Sequence, residues 1–206
     1  MAKNTQTASK NLAEFIKLQR RYTRSVNLER DLADSENLKG YVVTERAGQA
    51  LRQISEAITR KEAVSAWTLT GVYGTGKSSF AHFLASLLAS QNDGVKIVAD
   101  SIFENCSVEP EVRQKIQSVV TSKGFVRAVV TAGREPLEKT ILRSLRTGIN
   151  SFWEKTSNTG KKFNAEIDRL ENAIDSAGNA DPNGVLSLIR ELSAVAKVGL
   201  VLIIDE

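Results

Sequence analysis

Apolar residues recur at helical spacing along most of the chain, and short unbroken apolar runs interrupt that pattern in only a few places. Leu12, Phe15, Ile16, Gln19, Tyr22 and Val26 fall three and four apart, which predicts a helix from about Lys10 to Leu32 with one largely apolar face. Lys17, Arg20, Arg21 and Arg24 share that spacing on another face, and a solvated helix surface is preferred there to a phosphate-binding stripe. Residues 1–9 are small and polar and read as a frayed end. Asp31 to Gly40 is acidic, polar and closed by glycine, which reads as a connection. Tyr41-Val42-Val43 is a short extended stretch. Thr44 then caps a helix whose apolar side is Ala50, Leu51, Ile54, Ala57 and Ile58.

Trp67 to Thr70 reads as a compact strand ending at Gly71. A helix from Ser79 to Ser90 follows, with Phe80, Phe83, Leu84, Leu87 and Leu88 facing inward and Gln91-Asn92-Asp93-Gly94 as its stop. Residues 95–123 leave two readings open. Val95 to Ala99 forms a strand, or the whole stretch is two short helices broken near Pro110; the helices are preferred. Phe125 to Val130 predicts a further strand, and Pro136 starts a helix running to about Thr147. Helices follow near 161–174 and 182–198, the latter capped by Asp181 with Pro182 in its first turn. Leu200 to Ile204 is a continuous apolar run of the kind a buried parallel strand needs.

Composition narrows this picture only slightly. The 206 residues are 41% hydrophobic and 25% charged, as in an ordinary globular chain able to bury a sizeable core. The net charge of +4 is compatible with a polyanionic partner and demands none. Cys106 is the only cysteine, so no intrachain disulfide and no cysteine metal cluster forms. His82 is the only histidine, which argues against histidine metal sites and catalytic triads. No run reaches the ~20 apolar residues of a membrane span, and the N-terminus lacks a secretory apolar core, so a cytoplasmic protein without membrane partners is expected.

The chemistry lies in Gly71-Val72-Tyr73-Gly74-Thr75-Gly76-Lys77-Ser78, which fits G-x-x-x-x-G-K-[ST] at every fixed position. Glycines let the backbone turn tightly and aim N–H groups at phosphate oxygens, and the following helix offers its positive end to an anion. Lys77 is expected to reach the β- and γ-phosphates and Ser78 to coordinate Mg²⁺, while Ser79 assists the helix start beside the nucleotide. An apolar strand ending in Asp205 has the Walker B pattern, whose carboxylate helps to hold Mg²⁺. Glu206, next to it, is placed to orient or deprotonate an attacking water, so Lys77 and Glu206 are the candidate catalytic residues. Arg134, in the turn after the strand at Phe125–Val130, is a weaker candidate for the nucleotide or a neighbouring subunit; a solvated or locally paired arginine is preferred.

The Asp205-Glu206 pair resembles the P-loop ATPases of the additional-strand, catalytic-glutamate division, which includes the AAA+ and STAND families. The resemblance implies ATP and Mg²⁺ as ligands, and the lack of an Asn-Lys-x-Asp segment favours ATP over GTP. It also implies an α/β fold, a three-layer P-loop NTPase sandwich in which a further strand lies between the P-loop strand and the Walker B strand. A segment before the P-loop often covers adenine in AAA+-like proteins; Tyr41 and Val42 stand in the right place for that role, with ordinary packing as the equal alternative.

The run from Tyr41 to Leu88 is similar to the front of large bacterial ATPases of BREX-type anti-phage systems. That resemblance covers about a quarter of the chain and implies DNA, defence-complex subunits or further copies of the chain as partners. Residues 1–40 are then a helical segment and 41–206 a P-loop core, expected to be the N-terminal part of a longer protein with its sheet incomplete after Glu206. The leading reading is an ATPase that couples ATP to conformational change. A STAND-type switch with slow turnover and a non-hydrolysing nucleotide scaffold are the alternatives.

Overall fold

Among the described residues, two parallel strands lie between two groups of helices. The computed structural model describes residues 26–60, 65–154, 156–177 and 181–205. β1 (Val126–Thr131) pairs with β2 (Leu200–Asp205) in a register running from Val126 opposite Leu200 to Thr131 opposite Asp205. Parallel pairing requires a crossover, and α6 (Leu137–Phe152), α7 (Asn158–Ala177) and α8 (Pro182–Ala196) provide it. Before β1 come α1 (Leu28–Asp31), α2 (Glu45–Thr59), α3 (Lys77–Leu87), α4 (Gly94–Glu104) and α5 (Pro110–Val119). Among the described residues the protein is thus mostly helical with a small parallel sheet, an α/β arrangement.

Short polar side chains set where the helices begin. Thr44 accepts from the Ala47 N–H at 3.3 Å, Asp93 from Val95 at 3.2 Å, and Asp181 from Gly184 at 2.9 Å. Pro110 and Pro182 occupy first-turn positions of α5 and α8, where the missing N–H costs nothing.

Each face of the sheet buries a different set of helices. Val126, Ala128, Leu200 and Leu202 pack with Leu142, Leu145 and Ile149 of α6 and with residues of α7 and α8. On the other face Val129 and Ile203 pack against Leu28 and Leu32 and against Ala81 and Ala85 of α3. Val201 joins the core that α2, α3, α4 and α5 build around Leu51, Phe83, Phe103 and Ile116. Gly148 lets α6 come close to β1, because a Cβ there would sit 2.9 Å from the Arg127 carbonyl oxygen.

Several expectations change. Trp67 to Thr70, read as a strand, has no ladder partner among the described residues, and Trp67 and Leu69 are 41% and 44% exposed. The helix read as continuous from Lys10 to Leu32 does not run unbroken to Leu32: Asn27 is extended (φ −115°), and its side chain accepts from the Arg30 N–H to begin α1. The earlier part of that helix, including Lys17, Arg20, Arg21 and Arg24, lies outside the described residues, as does Glu206. Residues 95–123 contain two helices and no strand, as preferred. α6 runs a turn beyond Thr147, because Ile149 is buried against the α7–α8 core and Phe152 packs beside it. No described helix is long and apolar enough to cross a membrane.

Candidate functional site

The loop Gly71–Gly76 opens directly into α3 without a side-chain cap. Gly74 and Gly76 adopt φ values of 80° and 85°, in the left-handed region that favours glycine, and nothing lies within 4 Å of where their Cβ atoms would be. Their backbone therefore stands bare toward open space. The first N–H groups of α3 have no acceptor within the helix, and the helix dipole adds partial positive charge at the same point. This end of α3 is chemically an anion cradle.

Lys77 curls back over the loop, its Nζ donating to the carbonyls of Gly71 at 3.0 Å and Val72 at 3.3 Å. The ammonium is thereby held above the loop it would share with an anion. Ser78 turns the other way. Its Oγ donates to Asp205 Oδ1 at 3.1 Å, joining the first turn of α3 to the last residue of β2 across most of the chain. The Ala132 N–H fixes the Asp205 backbone by donating to its carbonyl at 2.6 Å.

Beside the loop lies a cavity of about 730 Å³. One wall is Val72, Gly74, Thr75, Gly76 and Lys77; the other is Leu38 to Val42 with Thr44, Arg46 and Ala47. The segment Tyr41–Val42, singled out from its position in sequence, therefore faces the Gly-rich loop across the cavity. Tyr41 stacks at a tilt on Phe83, ring centroids 4.9 Å apart, and burial pushes its phenol up to about 12. That leaves the ring an apolar wall with a neutral hydroxyl. Ser79 also lines the cavity. Tyr73 does not; it is 92% exposed at the loop tip. Arg134 is exposed and lies outside the cavity lining.

Arg143 was not singled out in the sequence and organises the strand ends. It donates to the Thr131 carbonyl at 2.9 Å, to Glu135 at 2.9 Å and to Glu29 of α1 at 2.6 Å. This guanidinium, followed by Thr140, holds the Glu135 carboxyl below its usual range, and Glu135 in turn raises Arg143. The turn after β1 is thereby tied down next to the strand end that carries Asp205. His82 was set aside as a lone histidine, yet it also lines the cavity. Its spacing carried the signal, since residue 82 lies one turn beyond Ser79 on the same helix face.

Two oxygens, Ser78 Oγ and Asp205 Oδ1, converge where a hard cation could be shared with an anion on the loop. The described residues contain no group of three His, Cys, Asp or Glu side chains able to hold a metal by themselves. Compared with known proteins, the chain matches no family model, no curated protein and no solved structure.

Proposed function

We propose that the chain binds ATP with Mg²⁺ on the Gly71–Ser78 loop and hydrolyses it, within a P-loop NTPase sandwich of the additional-strand division. The observation that carries the reading is the hydrogen bond from Ser78 to Asp205, which joins the two halves of the nucleotide signature at one end of the sheet. The uncapped start of α3 and the positive-φ glycines support it, because they offer N–H groups to phosphate oxygens without side-chain obstruction.

On binding, Lys77 exchanges the Gly71 and Val72 carbonyls for β- and γ-phosphate oxygens, a stronger charge-assisted pairing. Ser78 and Asp205 fit Mg²⁺ as two oxygen donors, and phosphate oxygens and water complete such a shell. When bound, Mg²⁺ neutralises charge on the phosphates during transfer. Glu206, next in sequence to Asp205, is the carboxylate proposed to take the proton of the attacking water. Leu38 to Val42 form the wall against which a base and sugar rest.

Lys77→Ala tests the reading. Titration calorimetry with a non-hydrolysable ATP analogue is expected to show affinity at least about tenfold lower, from the loss of a hydrogen bond between charged groups. Unchanged affinity rejects the site. The wider role, work on DNA within an anti-phage complex, rests on the sequence resemblance, and phosphate release with and without duplex DNA tests it. Turnover unaffected by DNA removes that role while leaving the ATPase.

A further inference from the structure

Asp205 is held at two places. Its carboxylate accepts from Ser78 Oγ at 3.1 Å, and its main-chain carbonyl accepts from the Ala132 N–H at 2.6 Å. That N–H belongs to the same peptide unit as the Thr131 carbonyl, because the bond between residues 131 and 132 carries both groups. The unit is planar, so fixing its oxygen also fixes the direction of its N–H. Arg143 fixes the oxygen, its Nη2 donating there at 2.9 Å. One peptide plane therefore stands between the guanidinium and Asp205, gripped from both sides.

Arg143 is itself held. Its Nη1 donates to Glu29 at 2.6 Å, and its Nε and Nη2 donate to Glu135 Oε1 at 3.2 Å and 2.9 Å. It rises from α6, which Gly148 brings close against β1. Its side chain is 40% exposed, and ion pairs this open to water add little to stability. What the cluster contributes is a fixed direction, since a planar fork bonded to three segments has little freedom to turn. Thr131 and Asp205 are the last registered pair of the sheet, a place where strands fray unless something holds them.

The metal gives this clamp its consequence. Mg²⁺ keeps a near-ideal octahedral shell at about 2.0–2.1 Å and tolerates little displacement of the groups that hold it or its waters. Ser78 stands on the first turn of α3, whereas Asp205 stands on a strand end with no described strand along its other edge. Resting on the ATP reading above, we propose that Arg143 is a positioning residue for Mg²⁺: through the Thr131–Ala132 peptide it keeps the Asp205 carboxylate against Ser78, and so sets how strongly the metal tightens nucleotide binding. The Gly-rich loop and Lys77 take phosphate without passing through this clamp, so affinity for metal-free nucleotide does not depend on it.

Titration calorimetry on the whole chain reads this as a ratio, the affinity for a non-hydrolysable ATP analogue in excess Mg²⁺ over that in EDTA. The wild type is expected to show a ratio of at least about ten, within the usual range of coupling between two ligands. Arg143→Met is expected to lower the ratio about fivefold, the worth of one hydrogen bond, with the EDTA affinity unchanged. Arg143→Lys makes one bond at a time in place of the fork, and its ratio is expected to fall between the two. Asp205→Asn is expected to lose the Mg²⁺ effect, and adding Arg143→Met to it changes nothing further. Lys139→Met, which removes a neighbouring ion pair between α6 and Asp175, is expected to keep the wild-type ratio. A ratio unchanged in Arg143→Met, whether or not both affinities fall, overturns the proposal and leaves the nucleotide site standing, as does a further fall in the Asp205→Asn background. Should the Met variant fail to fold by circular dichroism, the Lys variant decides, and a wild-type ratio there overturns the proposal. A wild type that binds the analogue equally well with and without Mg²⁺ removes the metal and this inference with it. One that binds the analogue in neither condition rejects the ATP reading itself.

Discussion

β1 and β2 are partners over their whole length, yet they live in different surroundings. Val126, Ala128, Val129 and Val130 of β1 are fully buried, while Leu200 to Asp205 of β2 are only partly so, and Ile204 is 40% exposed. By sequence the order should be reversed, because β1 carries an arginine in its middle and β2 has five apolar residues in a row. The difference comes from what covers them. β1 has α6 pressed on one face, through the close approach at Gly148, and α1 with α3 on the other. β2 is bordered by β1 on one edge, and no described strand lies on the other. Burial is a property of neighbours, and a strand's own hydrophobicity only makes it possible.

The largest expected effect comes from the charged residue in the better buried strand. Arg127 donates to Asp93 Oδ2 at 2.9 Å, with the arginine side chain 9% and the aspartate 29% exposed. Arg127→Met leaves that carboxylate without a counter-charge and is expected to cost about 3 kcal/mol of unfolding free energy, at the low end for a broken buried pair because Asp93 keeps some solvent and its bond from the Val95 N–H. Its register partner in β2 is Val201. Val201→Thr is expected to cost no more than about 1 kcal/mol, so urea unfolding of the two variants measures the contrast directly. Equal losses would show that β2 is as enclosed as β1.

Truncation sharpens the same contrast at smaller scale. Val129→Ala is expected to cost about 2 kcal/mol, the transfer of two methyl groups plus the cavity they leave. Ile204→Ala removes more carbon but is expected to cost less, about 1 kcal/mol, because part of that side chain already meets water. A larger loss at Ile204 than at Val129, read from urea midpoints at constant slope, would mean that another surface covers β2 in solution.

The smallest effect is a pH dependence from the layer over β1. Burial holds the His82 pKa below its ordinary 6.5, with Arg127 adding to the shift. At pH 8 the ring is neutral in both folded and unfolded chains and contributes nothing. As pH falls through 6.5 the unfolded chain takes the proton first, so stability declines toward the lower folded value. A decline in stability between pH 7 and 5.5 is expected in urea unfolding, absent in His82→Gln. Glu135, held below its ordinary 4.5 by Arg143, loses its contribution only in more acidic solution, so the two arms separate. A Gln variant with the same decline between pH 7 and 5.5 would assign it to other groups.

Trp67 to Thr70 shows where reading stops. Its composition suits a strand, but a strand exists only when another backbone accepts its hydrogen bonds, and none does among the described residues. Asn27 teaches the converse. Apolar spacing runs straight through it, but its short side chain competes for the backbone and starts α1. Caps at Thr44, Asp93 and Asp181 were nearly legible because each acts within three residues. Arg143 was not, because its partners Glu29, Thr131 and Glu135 come from three separate segments.

The amino-acid sequence alone determined the Gly-rich loop, the helix after it and the apolar run ending in Asp205, because glycine freedom, helix starts and apolar periodicity act over a few residues. Only the tertiary structure decided that Ser78 meets Asp205, that Tyr41 lines the same cavity as the loop, that an arginine-bearing strand is the better buried of the two, and that the His82 Nε2 is enclosed without a partner. Those outcomes depend on which distant segments supply hydrogen bonds and exclude water, and no local rule contains that information.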